Sequence, residues 1–391
     1  MIRKLSDVTD IIAGYAFKSK DFGTDFPDKV IKITHIVPPD VDMDGLSSVD
    51  MSKYDRRKLE KYIAREGDYV FAMTGATIGK IGRIEKGEAY LNQRVMMFKP
   101  NSSIDKDYLY YALLQKNFYQ YVINHIDSES AQPNISAGTV AKYEIDLPDI
   151  ETQRKIGRIL RLYDKKIETN RRINKNLTEQ VFALYDNLFS DSTGSICRAD
   201  EFFNITIGKT PPRKEPEWFS EESINTKWVS ISDMGNCGLY ISDSSEYLVP
   251  EAISKFNVTV VPDNTVLLSF KLTVGRIAIT DGSMTTNEAI AHFKTDKKEI
   301  NPYLYCYLKR FNFQTLGSTS SIATAINSKI VKAMPFVIPS NDELAKFNKL
   351  ALPSFEMIKS NLKENQSLSS IRDSLLPKLM SGEIDVSDLS I

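Results

Sequence analysis

The order of sequence signals in the first half of the chain returns in the second half, and this duplication constrains the fold more than any other feature. The signals of residues 5–190 recur in residues 199–381. The matched segments, in chain order, are Gly14 with Gly208, Thr77–Ile81 with Thr273–Ile277, Asn92–Gln93 with Asn287–Glu288, and Tyr108–Tyr110 with Tyr303–Tyr305. A repeat of this length predicts two similar heads rather than one large core.

Each half ends in a heptad pattern, with seam residues spaced alternately four and three apart. The first seam is Ile156, Leu160, Tyr163, Ile167, Asn170, Asn174, Leu177, Val181, Leu184 and Leu188, and the second is Phe347, Ala351, Ser354, Ile358, Asn361, Asn365, Leu368, Arg372, Leu375 and Leu379. This spacing is typical of a coiled coil. At about 1.5 Å a residue, the first seam predicts a rod of about 50 Å.

Asparagine occupies matched seam positions in the two rods. A buried asparagine costs free energy unless it finds a hydrogen-bond partner, so we predict that these residues pair and fix the register of the rods. The alternative is that they face solvent in ordinary helices. The four residues are Asn170 and Asn174 in the first rod, and Asn361 and Asn365 in the second.

Each head is predicted to be an α+β domain. Short apolar runs separated by Gly, Asn and Asp indicate strands, and an aromatic helix follows them in both halves. The runs lie at 30–33, 69–73 and 95–98, and again at 228–231, 265–270 and 290–293. The predicted divisions are a first head at 1–150, a helix at 151–190, a second head at 191–340, a second helix at 341–380 and a tail at 381–391.

No catalytic motif occurs in both halves, which favours a binding protein over an enzyme. The Gly75–Lys80 segment resembles a phosphate loop, but it lacks one spacer residue and the Ser or Thr after the lysine. The three cysteines all lie in the second half without metal-ligand spacing, and the three histidines are isolated. We therefore expect no metal and no bound cofactor. No run approaches the length of a membrane span, so we expect no membrane association and a cytoplasmic protein.

Three segments carry a resemblance to a known family. They are Leu147–Ile156 at the entry to the first rod, Ala131–Ser136 before it, and Leu375–Ile384 in the tail. With these segments the chain resembles, over nearly its whole length, the specificity subunits of Type I restriction-modification systems. Leu344 departs from the pattern, because it stands where the family has the glutamine that corresponds to Gln153.

The resemblance implies a fold and a set of partners. It implies two target-recognition domains in a pseudo-two-fold arrangement, linked by two long helices packed as an antiparallel coiled coil. Each domain would read one part of a bipartite site in double-stranded DNA. Catalysis would belong to two methyltransferase subunits, which bind S-adenosylmethionine, and to restriction (translocase) subunits, which use ATP and Mg. The competing interpretation is a duplicated coiled-coil scaffold that binds proteins without reading DNA.

Total charge does not support DNA binding, since 50 Lys and Arg balance 51 Asp and Glu. Any DNA contact must therefore use local clusters. The candidates for phosphate contact are Lys18, Lys20, Arg56, Arg57, Lys58, Lys209, Arg213 and Lys214. The candidates for base contact are the turns with Thr77 and Lys80 and with Thr273 and Arg276, and the amides of Asn92, Gln93 and Asn287. Two plainer roles stay open, namely tight turns at the glycines and strand capping by the amides. Because the heads differ strongly in sequence, we predict an asymmetric target.

Overall fold

The computed structural model describes residues 1–127, 133–190, 194–316 and 326–389. Ala131 and Gln132, which carry part of the family resemblance, lie outside the described residues. The chain forms two compact units. Unit 1 comprises Met1–Lys166 and Ser367–Ile391, and unit 2 comprises Ile167–Gln366. None of the helices in the described ranges combines the length and apolar character needed to cross a lipid bilayer.

Unit 1 contains two sheets, a two-stranded ribbon and several helices. Its strands are β1 Ile2–Lys4, β2 Thr9–Ala13, β3 Phe22–Gly23, β4 Lys29–Ile31, β5 Ile36–Val37, β6 Asp40–Val41, β7 Ser47–Val49, β8 Ile63–Arg65, β9 Tyr69–Ala72, β10 Ile81–Arg83, β11 Glu88–Leu91, β12 Val95–Pro100 and β13 Glu144–Asp146. Its helices are α1 Leu5–Val8, α2 Arg56–Leu59, α3 Lys106–Leu113, α4 Lys116–Asn124, α5 Ala137–Val140, the first part of α6 Ile150–Phe189 and the last part of α12 Asn341–Met380. The sheet orders are β2-β12-β9-β10-β6-β5 and β3-β7-β4-β11-β8, with the ribbon β1-β13.

The six-stranded sheet of unit 1 is covered on both faces. Successive side chains of a strand point to opposite faces, and all four residues of β9 are buried. Phe71 packs with Phe118 and Leu160 on the helical face. Val70 and Ala72 pack in a separate cluster on the other face, together with residues of β4 and β11. Because both faces of β9 are buried, its sequence is a continuous run of apolar residues and does not alternate between apolar and polar ones.

Unit 2 repeats this architecture. Its strands are β14 Ile196–Arg198, β15 Asn204–Ile207, β16 Phe219–Ser220, β17 Thr226–Val229, β18 Tyr240–Ile241, β19 Glu246–Leu248, β20 Val266–Ser269, β21 Ile277–Thr280, β22 Thr285–Thr286, β23 Ile290–Lys294 and β24 Pro335–Val337. Its helices are α7 Ala199–Phe202, α8 Ile231–Asn236, α9 Pro250–Lys255, α10 Asn301–Arg310, α11 Ser328–Lys332 and parts of α6 and α12 Asn341–Met380.

The strand orders of unit 2 are β15-β23-β20-β21-β18 and β16-β19-β17-β22, with the ribbon β14-β24. The first order matches β2-β12-β9-β10-β6 strand for strand, and the second matches β3-β7-β4-β11. The predicted duplication and the predicted α+β class are therefore confirmed. The added strands β5 and β8 extend the two sheets of unit 1.

The two long helices run antiparallel within unit 2. The Asn170 side-chain amide donates to Asn365 Oδ1 at 2.9 Å, and the Asn361 amide donates to Asn174 Oδ1 at 2.7 Å. Moving four residues forward on α6 thus moves four residues back on α12. Asn170 also donates to Glu364 at 2.7 Å. The four asparagines pair across the helices as the heptad pattern indicates, and their role in fixing register stays a prediction.

In unit 1 the same two helices are joined by an ion pair between a half-buried arginine and a buried aspartate. The Arg372 guanidinium donates to Asp164, whose second carboxylate oxygen accepts from the Tyr111 hydroxyl on α3. Asp164 is buried, whereas the seam residue Tyr163 beside it is only half-buried. A buried carboxylate requires such partners to offset its desolvation. The pair explains why an arginine stands at a seam position of the second rod.

The paired asparagines generate a stability prediction. Asn365→Leu leaves the buried Asn170 amide with Glu364 as its remaining acceptor, so we expect the free energy of unfolding to fall by about 0.5–1.5 kcal/mol, the net contribution of one hydrogen bond. Replacing both Asn170 and Asn365 by leucine removes both polar groups, so the double variant should lie closer to wild type than the sum of the two single variants. Urea denaturation followed by circular dichroism measures all four proteins. Additive losses would contradict the pairing.

His292 on β23 generates a prediction about pH. Its ring nitrogens lie 3.0 Å from Thr206 Oγ1 and 2.7 Å from Thr286 Oγ1, and burial lowers its pKa to about 3. The unfolded histidine takes up a proton below pH 6.5 while the folded one stays neutral, so acid favours unfolding. We expect this group to reduce the free energy of unfolding by about 1.4 kcal/mol per pH unit below pH 6.5. His292→Gln should flatten urea-measured stability between pH 6.5 and 4. An unchanged slope would contradict this assignment.

Candidate nucleic-acid interface

A close crossing of two backbone segments organises the same region of each unit. In unit 1, Gly14 follows β2 and lies against the turn of residues 91–95, which we call the Asn92 turn. Gly14 N donates to Val95 O at 2.8 Å and Tyr15 N donates to Leu91 O at 2.8 Å. A β-carbon on Gly14 would lie 2.2 Å from the Asn92 carbonyl oxygen. The glycine is required because backbone meets backbone there.

Unit 2 builds the same crossing from matched residues. Gly208 N donates to Ile290 O at 3.0 Å and Lys209 N donates to Thr286 O at 2.9 Å. A β-carbon on Gly208 would lie 2.1 Å from the carbonyl oxygen of Asn287. We call residues 286–290 the Asn287 turn. The equivalence of Gly14 with Gly208 and of Asn92 with Asn287 is thus structural as well as sequential.

Polar side chains gather around the Asn92 turn. Gln93 and Arg94 are exposed, and Arg94 Nη1 donates to Asn134 Oδ1 at 3.1 Å. Asn134 forms a bridge with Thr74, which begins the loop of residues 74–80. The structure therefore brings the predicted residues Thr77 and Lys80 to the same region as Asn92 and Gln93.

The loop in unit 1 leaves its cation exposed. The Thr77 hydroxyl donates to Thr74 O at 3.1 Å, so it serves the turn, whereas the Lys80 side chain is exposed. The sequence reasoning missed Arg94 and Asn134 as members of this region. The available signals were the position of Arg94 directly after Gln93 and the position of Asn134 in a segment that carries the family resemblance.

The predicted phosphate contacts of unit 1 fall into two groups. Lys18 N donates to the Tyr54 hydroxyl, and the Tyr54 ring lies 5.9 Å from that of Tyr15, which follows Gly14. Lys18 and its neighbour Lys20 are exposed and form no ion pair within the described residues. Both lysines lie on the chain segment that follows Gly14 and Tyr15.

The second group lies on α2 and is partly neutralised. Arg56 donates through both terminal nitrogens to Asp28 at 2.8 and 2.6 Å, and the hydrogen bonds with Asp28 raise the pKa of Arg56. Lys58 Nζ lies 3.6 Å from Asp55, while Arg57 is exposed. These ion pairs lower the net charge that α2 offers, and phosphate contact by Arg56, Arg57 and Lys58 stays a prediction.

The Asn287 turn of unit 2 has a different chemistry. Asn287 Oδ1 accepts a hydrogen bond from Ala289 N at 3.1 Å, so this amide caps the turn. Glu288 stands where unit 1 has Gln93, and it accepts from the Thr210 hydroxyl. Lys209 is exposed, and its carbonyl accepts from Trp228 Nε1 at 3.2 Å.

Arg213 is held within unit 2. It donates to both carboxylate oxygens of Glu246 at 2.7 and 2.8 Å, and its guanidinium lies 4.1 Å from the Phe219 ring centroid and 4.4 Å from that of Trp228. Stacking and bidentate pairing give this arginine a structural role. Its neighbour Lys214 is exposed. Phosphate contact by Arg213 and Lys214 stays a prediction.

The loop of residues 270–276, which we call the tip loop, lies beside the Asn287 turn because Phe270 N donates to Ala289 O at 2.9 Å. Thr273 is exposed. Arg276 turns inward, where Nη1 donates to Ile231 O at 2.6 Å at the start of α8. The two matched cations therefore differ, since Lys80 faces solvent and Arg276 is tied to the backbone. Base contact by either residue stays a prediction.

Comparison with known proteins identifies what the chain is similar to. The model of the family described as Type I restriction modification DNA specificity domain matches residues 1–179 and 195–349. The MjaIX specificity subunit of a Type I restriction enzyme of Methanocaldococcus jannaschii is 24% identical over 435 residues, covering 99% of this chain and 94% of that protein. The HindI specificity subunit of Haemophilus influenzae is 24% identical over 371 residues, covering 75% and 81%.

The fold also matches a solved structure. The crystal structure of a Type I restriction-modification S subunit from M. genitalium aligns with a TM-score of 0.56 at 17% identity, covering 97% of this chain and 95% of that chain. At this identity the match supports the fold alone.

The contrast between Lys80 and Arg276 generates a prediction for the two matched variants. Lys80→Ala should weaken binding to duplex DNA without changing stability, and the slope of log affinity against log salt should fall by about one if the ammonium neutralises a phosphate. Arg276→Ala should instead lower the free energy of unfolding, because the Ile231 carbonyl loses a charged donor. Salt-dependent binding and urea denaturation separate the effects. Equal behaviour of the two variants in both measurements would contradict the distinction.

Proposed function

The chain belongs to the family of Type I restriction-modification DNA specificity subunits, and from this premise we propose that each unit reads one part of an asymmetric, bipartite site in duplex DNA. The Asn92 turn with its neighbouring loop would read one part, and the Asn287 turn with the tip loop would read the other. Base edges in the major groove present hydrogen-bond donors, acceptors and methyl groups. Amides, hydroxyls and exposed cations are suitable partners for these groups.

The observation that carries the proposal is an identical backbone arrangement with different side chains. The glycine crossings have the same hydrogen bonds in both units. The exposed side chain after the crossing asparagine differs, with Gln93 in unit 1 and Glu288 in unit 2, and the exposed Arg94 of unit 1 is matched by the buried Ala289 of unit 2. An amide pairs well with adenine, whereas a carboxylate accepts a hydrogen bond from cytosine. A shared scaffold with different exposed groups supports two different half-sites.

We propose further that the chain itself is non-catalytic. Proteins of this family are named specificity subunits, and catalysis would belong to two methyltransferase subunits and to restriction subunits. S-adenosylmethionine, ATP and Mg would bind to those partners. The chain would act in the cytoplasm, where the DNA and these partners are present. The charged donors that would contact phosphate are the exposed lysines Lys18, Lys20, Lys209 and Lys214.

The experiment that tests the proposal is a methylation map. The chain is expressed with its methyltransferase subunit, and methylated adenine is mapped across the genome with and without this chain. We expect a chain-dependent motif with two unlike parts and an unspecified gap between them. A palindromic motif would contradict the asymmetry.

Matched variants then assign each part of the motif to a unit. Gln93→Ala in unit 1 should relax the sequence requirement in one part only, and Glu288→Ala in unit 2 should relax it in the other part only. The competing scaffold function makes a different prediction, in which the complex co-purifies but methylation does not depend on this chain. That outcome, or variants that change assembly and leave the motif intact, would favour the scaffold.

A further inference from the structure

The tip loop of unit 2 carries an apolar side chain that is almost completely exposed. Leu272 is 97% exposed, and it is flanked by the exposed residues Lys271 and Thr273. Its φ is +59°, in the left-handed region, which is unfavourable for a residue with a β-carbon. A glycine would adopt this conformation without strain. A strained, solvated leucine lowers stability, so its presence points to a contact that is made outside the chain.

The loop holds Leu272 on a rigid base. The buried Ser269 hydroxyl donates to Thr273 O at 2.6 Å and accepts from Arg276 N at 3.0 Å. Gly275 N donates to Ser269 O at 3.0 Å. The bond from Arg276 Nη1 to Ile231 O at 2.6 Å ties the far end of the loop to α8. These bonds hold the backbone on both sides of Leu272, and the loop carries the side chain into solvent.

The surroundings of the loop favour nucleic acid as the ligand. Phe270 N donates to Ala289 O, which places the base of the loop beside the Asn287 turn. Lys271 and Thr273 add a cation and a hydroxyl on either side of the leucine. An apolar group between polar ones matches the edge of a thymine, which displays a methyl group next to a hydrogen-bond acceptor. The matching loop of unit 1 has the small, exposed Ala76 instead.

We propose that Leu272 is a specificity-determining residue of unit 2, and that it contacts the C5-methyl group of a thymine in the major groove. This inference rests on the proposed function, because it names one base contact of the half-site that unit 2 reads. Unit 1 lacks this contact, since its loop carries no large apolar side chain at the matching position. Ser269 and Arg276 are positioning residues for Leu272.

The test uses the complex with the methyltransferase subunit and a duplex that contains the mapped motif. The half-site of unit 2 is the part that Glu288→Ala relaxes. Each thymine of that half-site is replaced in turn by deoxyuridine, which removes only the methyl group. We expect one replacement to weaken binding by wild type about fourfold, the factor for one buried methyl group. Leu272→Gly should bind the two duplexes equally, and its stability should be equal to or above that of wild type because the backbone strain is relieved.

The control variant is Ile196→Ala, which removes another apolar side chain of unit 2, 70% exposed on β14. It should keep the full preference for thymine over deoxyuridine.

The inference is overturned if the half-site contains no thymine, if every deoxyuridine duplex binds as tightly as the parent, or if Leu272→Gly keeps the preference. It is also overturned if Leu272→Gly loses the methyltransferase subunit and leaves DNA preference unchanged, since the leucine would then contact protein. Failure of the proposed function is separate, because wild type itself would then show no sequence preference.

Discussion

The approach of backbone to backbone at Gly14 and at Gly208 is the constraint on which the rest of each unit depends. With a carbonyl oxygen 2.2 or 2.1 Å from the place of a β-carbon, no other residue fits without moving one segment away from the other. In unit 1 the crossing joins the end of β2 to the turn that precedes β12. In unit 2 it joins the end of β15 to the turn that precedes β23. It thereby sets where the Asn92 and Asn287 turns emerge, and with them the side chains that face outward.

Buried polar groups also connect separate elements within each unit by hydrogen bonds. In unit 2 the neutral ring of His292 joins Thr206 on β15 to Thr286 on β22, next to the glycine crossing. In unit 1 the carboxylate of Asp164 joins α3 to both long helices through Tyr111 and Arg372. Such groups lower stability when they are unpaired, so each network favours one arrangement of its elements over slipped alternatives.

The division between scaffold and exposed side chains explains how one fold serves two recognition tasks. Strand order and glycine crossings are the same in both units. Gln93 and Glu288, the first residues after the crossing asparagines, are exposed and lie outside the core, whereas the next residue of unit 2, Ala289, is part of the core. Gln93 and Glu288 occupy equivalent sites with different hydrogen-bonding chemistry, whereas Ala76 and Leu272 at the matched loops differ in the size of an apolar side chain. An exchange of the Gln93 or Glu288 side chain therefore leaves the core packing unchanged.

The amino-acid sequence by itself determined the repeat, the α+β class and the seam of the long helices, because periodicity and order are properties of the chain alone. It also showed asparagines at matched seam positions of the two rods, whereas the tertiary structure pairs Asn170 with Asn365 and Asn174 with Asn361. Only the tertiary structure decided which of the matched cations is exposed. Lys80 faces solvent, whereas Arg276, which matches it in sequence, donates to the Ile231 carbonyl. The same holds for Leu272, whose exposure and left-handed backbone arise from hydrogen bonds around Ser269 that no local pattern encodes. The spacing of apolar residues along a chain predicts which helices and strands form. The contacts of a given side chain depend on residues that are distant in sequence.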